Sequence, residues 1–354
     1  MRVALVCPYS WSVPGGVQTH VAGLANALRT AGDAVEILAP ADGPAGGVVT
    51  LGRTVPIPTN GSLQRVALGP ASVRRTAAAI RGRGYDVVHL HEPMLPAACL
   101  TALAAARAPL VATFHMQRDE LRWYRVFAPL VRPAATRLRA RIAVSPAARA
   151  YAERALPGDY VVIPNGIDHA ALARLAGDRR GRRILFVGRP DRRKGLPILL
   201  AAFRRLHAAH AELVLVGPRG RYGPRVRALG PVSAERLRCE LADADVLCAP
   251  SLAGESFGLV LVEAMAAGLP VVASRIPGYD AVLPERCGRL VPPGDAAALA
   301  RALDELLADE PLREALGAEG RREAARYDWS RVAAAVRQVY VDYAATPSPY
   351  LAAR

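Results

Sequence analysis

Lysine is almost absent from this sequence. Of 46 basic residues, Lys194 is the only lysine, and all the others are arginine. A single lysine in such a background indicates a position where a compact ammonium is needed and a planar guanidinium is unsuitable. Chance retention is the alternative. Lys194 is therefore the first candidate for a functional residue.

Cysteine is also sparse, and the five cysteines are scattered without any Cys-x-x-Cys pair. This spacing argues against a disulfide framework and against a zinc site built on cysteines. We expect these residues to be small buried apolar side chains. They are Cys7, Cys99, Cys239, Cys248 and Cys287.

Long hydrophobic runs are missing as well. No apolar run approaches the roughly 18 residues that a membrane-spanning helix needs. Residues 1–8 end too abruptly for a signal peptide and are typical of a first buried strand, so we expect a cytoplasmic protein. Hydrophobic residues nevertheless make up 52% of the chain, which excludes disorder as its main state.

Acidic residues are in the minority. The chain has 31 Asp and Glu against 46 Lys and Arg, a formal charge of +15. Such a surface attracts nucleic acid, acidic lipid headgroups or phosphorylated metabolites. The basic residues spread over the whole chain without a base-stacking motif, so we expect no nucleic-acid partner.

Short apolar runs alternate with longer amphipathic stretches, which predicts parallel sheets with helical crossovers. The pattern restarts after a turn cluster at 164–168, so we expect two Rossmann-like, doubly wound α/β domains. The predicted strands are 3–7, 35–38, 87–90, 110–114, 142–144, 161–163, 184–187, 213–216, 246–249, 271–273 and 289–291.

The predicted domains share the chain unequally. The N-terminal domain takes residues 1–166 plus 330–354, and the C-terminal domain takes 167–329. The amphipathic stretches 17–30 and 72–81 predict helices in the first domain. A last helix, 329–343, is expected to cross back to that domain.

Ligands of such sheets bind at the carboxyl ends of the strands, so the loops after strands are the candidate sites. Gly15 and Gly16 follow the first strand and precede a helix whose N-terminus suits a phosphate, although a simple turn has the same pattern. Arg189 and Lys194 lie in the corresponding loop of the second domain. Two cations beside a helix start predict a diphosphate site. A solvated basic turn is the alternative, and it suits Arg192 and Arg193.

Two carboxylates border an apolar stretch further along the second domain. We expect a buried helix over 256–267, with Glu255 in the loop before it and Glu263 about two turns in. A buried carboxylate needs hydrogen-bond partners, which sugar hydroxyls supply well. An internal salt bridge is the alternative for Glu263.

Several histidines and acidic residues are candidate metal ligands. His115 ends a strand and is either structural or catalytic. His89, His91 and Glu92 resemble a metal cluster but lack a third well-spaced ligand. Asp243-Ala244-Asp245 matches a metal motif of sugar transferases, but it precedes a strand, and Asp243 is expected to end a helix. We therefore predict no metal site.

These motifs together resemble the GT-B retaining glycosyltransferases of family 4. The resemblance is closer still to the actinobacterial phosphatidylinositol mannosyltransferases that add the first mannose, and it covers essentially the whole chain. The segments that point to this branch include Cys7-Pro8-Tyr9-Ser10, Val13-Pro14-Gly15-Gly16-Val17-Gln18, Asn60-Gly61-Ser62, His91-Glu92-Pro93 and Tyr327-Asp328-Trp329-Ser330.

The resemblance implies two facing domains and a set of site residues. In it Arg189 and Lys194 hold the diphosphate, Glu255 the sugar and Glu263 the ribose. The implied donor-binding residues are Gly16, Arg189, Lys194, Glu255, Ser256, Phe257, Gly258, Leu259 and Glu263. The implied catalytic residues are His115, Arg189, Lys194 and Glu255. Those expected to border the acceptor are Tyr9, Gln18, Asn60 and Arg65.

The resemblance further implies GDP-mannose as donor, phosphatidylinositol as acceptor and a peripheral position on the inner face of the cell membrane. Arg74, Arg75 and Arg81 are the expected membrane contacts. A second basic stretch, 118–141, either meets an anionic bilayer or is a solvated helix face. Because fixed cations face the diphosphate, we expect no cofactor and no metal requirement. No carboxylate is well placed to act as a nucleophile on the far face of the sugar, so we expect a front-face reaction that retains configuration.

Alternatives come from other substrates and other classes. A family 4 transferase could use another nucleotide-sugar, or a soluble inositol phosphate or other glycan as acceptor. A phosphorylase would need a lysine to bind pyridoxal phosphate covalently, and Lys194, the only one, lies in a diphosphate motif instead.

Overall fold

The computed structural model describes residues 1–13, 15–59, 62–117, 129, 131–175, 177 and 179–344. The chain divides into two compact units: unit 1 is Met1–Gly166 with Trp329–Arg354, and unit 2 is Ile167–Asp328. Trp329, assigned from the sequence to the C-terminal domain, groups with unit 1. Its indole lies so close to Gly23 and Gly166 that a Cβ on either glycine would overlap it.

Unit 1 contains a seven-stranded parallel sheet and a separate hairpin, β4–β5. The sheet order is β3-β2-β1-β6-β7-β8-β9, so the strands run outward in both directions from β1 and β6. The strands are β1 Arg2–Val6, β2 Ala34–Ala39, β3 Val48–Thr50, β4 Val55–Thr59, β5 Ser62–Val66, β6 Val87–His91, β7 Leu110–Phe114, β8 Leu138–Ala143 and β9 Val161–Val162.

The described helices of unit 1 cover its sheet. The final helix packs on the first one, and its Val336 and Tyr340 belong to the same apolar core as Leu24 and Leu28. Burial on both faces explains why β6 and β7 are buried at every position. The helices are α1 Gly16–Thr30, α2 Pro70–Arg81, α3 Ala98–Ala105, α4 Pro146–Ala155 and, from the C-terminal segment, α12 Trp329–Ala344.

Unit 2 repeats the plan with a six-stranded parallel sheet of order β12-β11-β10-β13-β14-β15. Its strands are β10 Arg183–Val187, β11 Glu212–Val216, β12 Val226–Gly230, β13 Val246–Ala249, β14 Val271–Ser274 and β15 Gly288–Val291. Its helices are α5 His169–Ala173, α6 Leu196–Phe203, α7 Ala234–Asp243, α8 Leu259–Ala266, α9 Pro277–Asp280, α10 Ala296–Ala308 and α11 Glu310–Ala324.

The structure confirms the predicted fold class and every predicted strand within a few residues. The short strands β3 and β12 and the β4–β5 hairpin were not predicted. Cys239 is exposed, so the expectation that all cysteines are buried is wrong for it. Asp243 ends α7, as expected. Asp245 accepts hydrogen bonds from three backbone amides, Gly181, Arg182 and Arg183, which gives it a structural role.

No described helix combines the length and hydropathy that crossing a bilayer requires.

Candidate active site

The centre of unit 2 is the point where its strand order changes direction, between β10 and β13. These strands are parallel neighbours, so the loops that follow them emerge side by side. The first loop carries Arg189 and Lys194, and the second carries Glu255. The Lys194 ammonium and the Glu255 carboxylate meet at 2.7 Å, and both are largely shielded from solvent. The structure thus joins two residues that the sequence indicated separately.

The loop that carries Lys194 is fixed by backbone contacts. The Asp191 carboxylate accepts a hydrogen bond from the Arg193 amide at 3.0 Å and caps a short 3-10 turn, Arg192–Lys194. The Arg193 carbonyl in turn accepts the Leu252 amide at 2.7 Å, which ties the two loops together. These bonds hold the Lys194 backbone before any ligand arrives.

Gly195 lets the chain turn directly into helix α6. Its φ is +70°, in the left-handed region, and a Cβ there would lie 1.9 Å from the Pro250 carbonyl oxygen. Only glycine tolerates both the conformation and the close approach. Lys194 is therefore placed by a backbone turn that packs on the neighbouring loop.

The loop of Glu255 depends on glycines in the same way. Gly258 has a φ of +85°, and a Cβ on it would lie 2.7 Å from the Tyr279 ring. This turn delays the helix: α8 begins at Leu259 and ends at Ala266, so the predicted helix over 256–267 is too long at both ends. Ser256 and Phe257 thus precede the helix, and Phe257 is buried against the Tyr327 ring.

Glu263 lies in the second turn of α8 and is partly buried, between the buried residues Val262 and Ala264. Burial raises the pKa of its carboxyl from 4.5 to about 7, and the positive charge of Arg238 opposes part of that rise. Within the described residues the Glu263 carboxyl forms no ion pair, so the internal salt bridge considered from the sequence is not observed. Its oxygens remain able to accept hydroxyl groups of a ligand.

Glu263→Gln is expected to stabilise unit 2 at high pH. The native carboxyl holds its proton up to about pH 7 and the unfolded one only to about 4.5, so native stability falls as pH rises between these values. The neutral amide removes that loss, worth roughly 1–3 kcal/mol at pH 8 and little at pH 5. Urea denaturation at both pH values measures it. Glu314→Gln, at an exposed site, is the control, and an equal change in both variants would contradict the prediction.

Arg189 follows β10 with an exposed side chain, on the same loop as Lys194. Burial raises the pKa of Asp191, but the hydrogen bonds and charge of Arg193 and, to a smaller extent, the charge of Arg189 together hold it below its ordinary value. An exposed cation beside a fixed ammonium is a suitable arrangement for an anionic ligand.

In unit 1, three histidines from different elements converge. His20 comes from α1, His91 ends β6 and His115 follows β7. His91 Nδ1 and His115 Nε2 share a hydrogen bond of 3.0 Å, and the His20 ring lies edge-on to His115 with centroids 4.8 Å apart. Burial holds the pKa of all three well below the ordinary value, so they are neutral at pH 7.

His89 and Glu92, which the sequence grouped with His91 as a suspected metal cluster, make other contacts in the structure. His89 bonds the Tyr340 hydroxyl and the Thr113 hydroxyl, each at 2.7 Å, and so links β6 to α12 and β7. The buried Glu92 carboxylate accepts the backbone amide of His115 at 2.5 Å, although Glu92 itself has a φ of +55°. The hydrogen bond to Glu92 fixes the backbone at His115, and the left-handed conformation of Glu92 is a local backbone strain.

Three of the four residues expected to border the acceptor are described by the structure, and each makes a different kind of contact. Gln18 Nε2 donates to the carbonyls of Ser10 and Val13, at 3.1 and 3.0 Å, and closes the loop after β1. Tyr9 is buried in the core of unit 1. The Arg65 guanidinium bonds Thr54 at 3.0 Å and Asp42 at 3.1 Å. Asn60 lies outside the described residues.

Gly16 is exposed and is the first residue of α1, with open space around its Cα. The sequence placed it at a helix start, and the structure has it there. The amides of this helix end point outward from a 15-residue helix, which gives the position a partial positive charge.

Arg74, Arg75 and Arg81 are exposed on α2, as is Val73 beside them. The second basic stretch is different. Arg132, Arg137 and Arg141 donate to backbone carbonyls of unit 1, which gives them structural roles. Arg118, Arg122 and Arg125 lie outside the described residues.

His20 and Tyr279 were missed in the sequence. His20 is the only polar member of the buried face of α1, among Val21, Leu24 and Leu28, and that interruption of an apolar stripe was an available signal. Tyr279, bonded to Ser251 at 2.9 Å, supports the loop of Glu255. No local pattern marks it.

Comparison with known proteins decides the family. Residues 14–171 match the model described as "Glycosyltransferase Family 4", and residues 181–309 match "Glycosyl transferases group 1". The phosphatidyl-myo-inositol mannosyltransferase of Mycolicibacterium smegmatis is 44% identical over 360 residues, covering 96% of this chain and 93% of that protein. The chain belongs to glycosyltransferase family 4.

Two further likenesses extend this result. The family 4 chain is 38% identical over 177 residues to the D-inositol 3-phosphate glycosyltransferase of Corynebacterium urealyticum, covering 44% of this chain and 42% of that protein. The solved sucrose-phosphate synthase of Thermosynechococcus elongatus superposes with a TM-score of 0.76 at 25% identity, over 96% of this chain and 98% of that one. The GT-B fold and the glycosyltransferase activity expected from the sequence are confirmed.

Proposed function

We propose that this glycosyltransferase moves mannose from GDP-mannose to the inositol ring of phosphatidylinositol. The observation that carries the proposal is the 44% identity, over nearly the whole length, to a protein named for phosphatidyl-myo-inositol and mannose. The site residues of unit 2 and the +15 charge are compatible with an anionic donor and an anionic lipid acceptor.

The proposed reaction exchanges one bond for another at the anomeric carbon. The bond from C1 of mannose to the β-phosphate oxygen breaks, and a bond from C1 to an inositol hydroxyl oxygen forms on the same face. The hydroxyl proton passes to the departing phosphate oxygen, and GDP leaves. Configuration at C1 is retained.

In this proposal the residues of unit 2 stabilise the departing group. Lys194 and Arg189 are fixed positive charges for the diphosphate, and such preorganised groups are usually the largest catalytic contribution. Glu255 accepts sugar hydroxyls and Glu263 accepts ribose hydroxyls. Because the charges belong to side chains, we propose that the transfer needs no divalent ion.

Unit 1 supplies the remaining proposed contacts. His115 binds the sugar with a ring held by His91 and a backbone held by Glu92. The exposed amides at Gly16 bind the leaving phosphate. Tyr9, Gln18, Asn60 and Arg65 border the inositol phosphate, with Gln18 and Arg65 acting partly through the loops that they hold.

A substrate panel tests the proposal. Purified protein is incubated with labelled GDP-mannose, GDP-fucose, UDP-glucose or UDP-N-acetylglucosamine, each with phosphatidylinositol vesicles, with a soluble inositol phosphate or with no acceptor. We expect labelled lipid only from GDP-mannose with phosphatidylinositol, in the presence or absence of EDTA, and α-linked product by NMR. Transfer that EDTA abolishes would contradict metal independence, and β-linked product would contradict retention.

A second candidate keeps the enzyme class and changes the acceptor. The likeness to a D-inositol 3-phosphate glycosyltransferase favours a soluble inositol phosphate, with another nucleotide-sugar as donor. Label recovered in the aqueous phase of the same panel, without labelled lipid, would establish this candidate and overturn the first.

Membrane binding is proposed through α2. Arg74 and Arg81 are seven residues apart and share one helix face, beside the exposed Val73. Replacing Arg74, Arg75 and Arg81 by Gln is expected to lower recovery on anionic vesicles, because each cation near such a surface contributes about 1 kcal/mol. Vesicle flotation measures the loss.

The matched control removes the same charge from unit 2. Arg204, Arg205 and Arg301 are exposed there, and their replacement by Gln also lowers the net charge by three. We expect near-normal flotation for this variant. Equal losses in both variants would show that net charge alone governs binding and would end the assignment to α2.

A further inference from the structure

We propose that His20, His91 and His115 form a binding site for a borderline transition-metal ion of the Zn²⁺ class, and that an ion bound there inhibits the transferase. The binding part stands on the geometry of the three rings. The inhibition part rests on the proposed role of His115 at the sugar. The metal-free enzyme remains the active form.

The geometry comes close to a three-histidine site. One ring nitrogen from each residue lies within 4.8 Å of the others, and the rings come from three separate elements of unit 1. His91 Nδ1 and His115 Nε2 are 3.0 Å apart. Two ligands of one tetrahedral zinc at 2.0–2.1 Å stand about 3.3 Å apart, so this pair is nearly in place. His20 would approach by roughly 1.5 Å.

Two ring nitrogens of this histidine cluster lack a hydrogen-bond partner among the residues that the structure describes. Nδ1 of His20 and Nε2 of His91 are buried without a partner in the described part of the chain. Buried polar atoms are rarely left in this way. An ion held by His91 Nδ1 and His115 Nε2 could take His20 Nδ1 as its third ligand and so give that nitrogen a partner, whereas His91 Nε2 would stay without one. The Oδ1 atom of Asn165 is also buried without a hydrogen-bond partner within the described residues.

Ligand chemistry selects the class of ion. Neutral imidazoles suit zinc, copper, cobalt and nickel, whereas magnesium and calcium require oxygen ligands. The nearby Glu92 carboxylate bonds the His115 backbone amide. Three nitrogen ligands leave a fourth position open for water. His20 and His115 are not completely enclosed, which leaves a route for the ion.

Metal-binding measurements test the site independently of catalysis. The full chain is prepared in a Cys239→Ser background, because that exposed thiol would compete for metal. Metal-free protein is titrated with Co²⁺, whose visible absorption reports four-coordinate nitrogen ligation, and dialysed against Zn²⁺ for elemental analysis. We expect one equivalent per chain and a rise in melting temperature.

Ligand and control variants locate the ion. His20→Gln is expected to weaken Co²⁺ binding by more than the 10–100-fold typical of outer-shell changes, and His20→Cys to restore it. His207→Gln removes an exposed histidine paired with Asp304 and should bind normally. Circular dichroism of each metal-free variant checks folding. No bound metal in the parent protein, or equal binding by His20→Gln and His207→Gln, overturns the proposal.

Activity measurements separate the two parts of the inference. If the proposed transfer is observed, Zn²⁺ should inhibit it in the parent protein, EDTA should reverse the inhibition, and His207→Gln should respond as the parent does. Transfer unaffected by Zn²⁺ at concentrations that fill the site would overturn the inhibition while the binding result stands. Failure of the mannose assay itself leaves the titration to decide the site.

Discussion

Lys194→Ala is expected to lower turnover at saturating GDP-mannose by about 10²–10³-fold, the loss typical of removing one preorganised group that stabilises a developing negative charge. The ammonium is held by a capped turn and a 2.7 Å contact to Glu255, so its position is set before the donor binds. The charge on the departing diphosphate grows as the C1–O bond breaks. The loss should therefore fall mainly on kcat.

The control for this variant removes an equal charge elsewhere in unit 2. Arg204→Ala eliminates an exposed cation and should leave kcat within twofold of the parent. Lys194→Arg distinguishes charge from shape: a guanidinium keeps the charge but cannot occupy the same compact position, so we expect partial activity. Normal kcat in Lys194→Ala would refute the proposed stabilisation of the leaving group.

Gly195→Ala is expected to be the most damaging small substitution in unit 2. The added Cβ would lie 1.9 Å from the Pro250 carbonyl oxygen, and the residue would keep a φ of +70°. The left-handed backbone costs roughly 1–2 kcal/mol and the overpacking roughly 1–3 kcal/mol more. Movement of the Lys194 loop to relieve the overlap should also weaken GDP binding. Denaturation and calorimetric titration with GDP measure the two effects.

Gly294→Ala provides the matched comparison. Its φ is +82°, in the same unit, but the nearest atom to a new Cβ would be Leu252 Cδ2 at 3.9 Å, an ordinary contact. This variant isolates the cost of the backbone conformation, and its GDP affinity should be unchanged. If the two variants lose equal stability and bind GDP equally, the contact with Pro250 has no role in holding the Lys194 loop.

The fold could be predicted because most of its strands leave a local pattern in the sequence. Buried parallel strands such as Leu110–Phe114 and Val246–Ala249 are short continuous apolar runs, and their alternation with helical periodicity is a local property of the sequence. The strand Val48–Thr50 is short and partly exposed, and it joins the sheet only through its pairing with β2. No local pattern could reveal it.

The first residue of the helix after Glu255 also could not be predicted from the local sequence. From Leu259 to Ala267 the segment is apolar except for Glu263, and a glycine such as Gly258 is tolerated within a helix, so the sequence does not fix the helix start at Leu259. The reason is tertiary: Gly258 takes a left-handed conformation where the Tyr279 ring leaves no room for a side chain. Helix propensity is a local property, so it carries no information about the Tyr279 ring, which belongs to another segment.

The two α/β domains were predictable from the sequence, which also singled out Lys194 and the carboxylates Glu255 and Glu263 as candidates, because composition and periodicity are local properties of the chain. The contact of Lys194 with Glu255 and the convergence of His20 with His91 and His115 could be seen only in the folded chain. Contacts between residues distant in the chain depend on which strands become neighbours in a sheet. The crossover connections set that order.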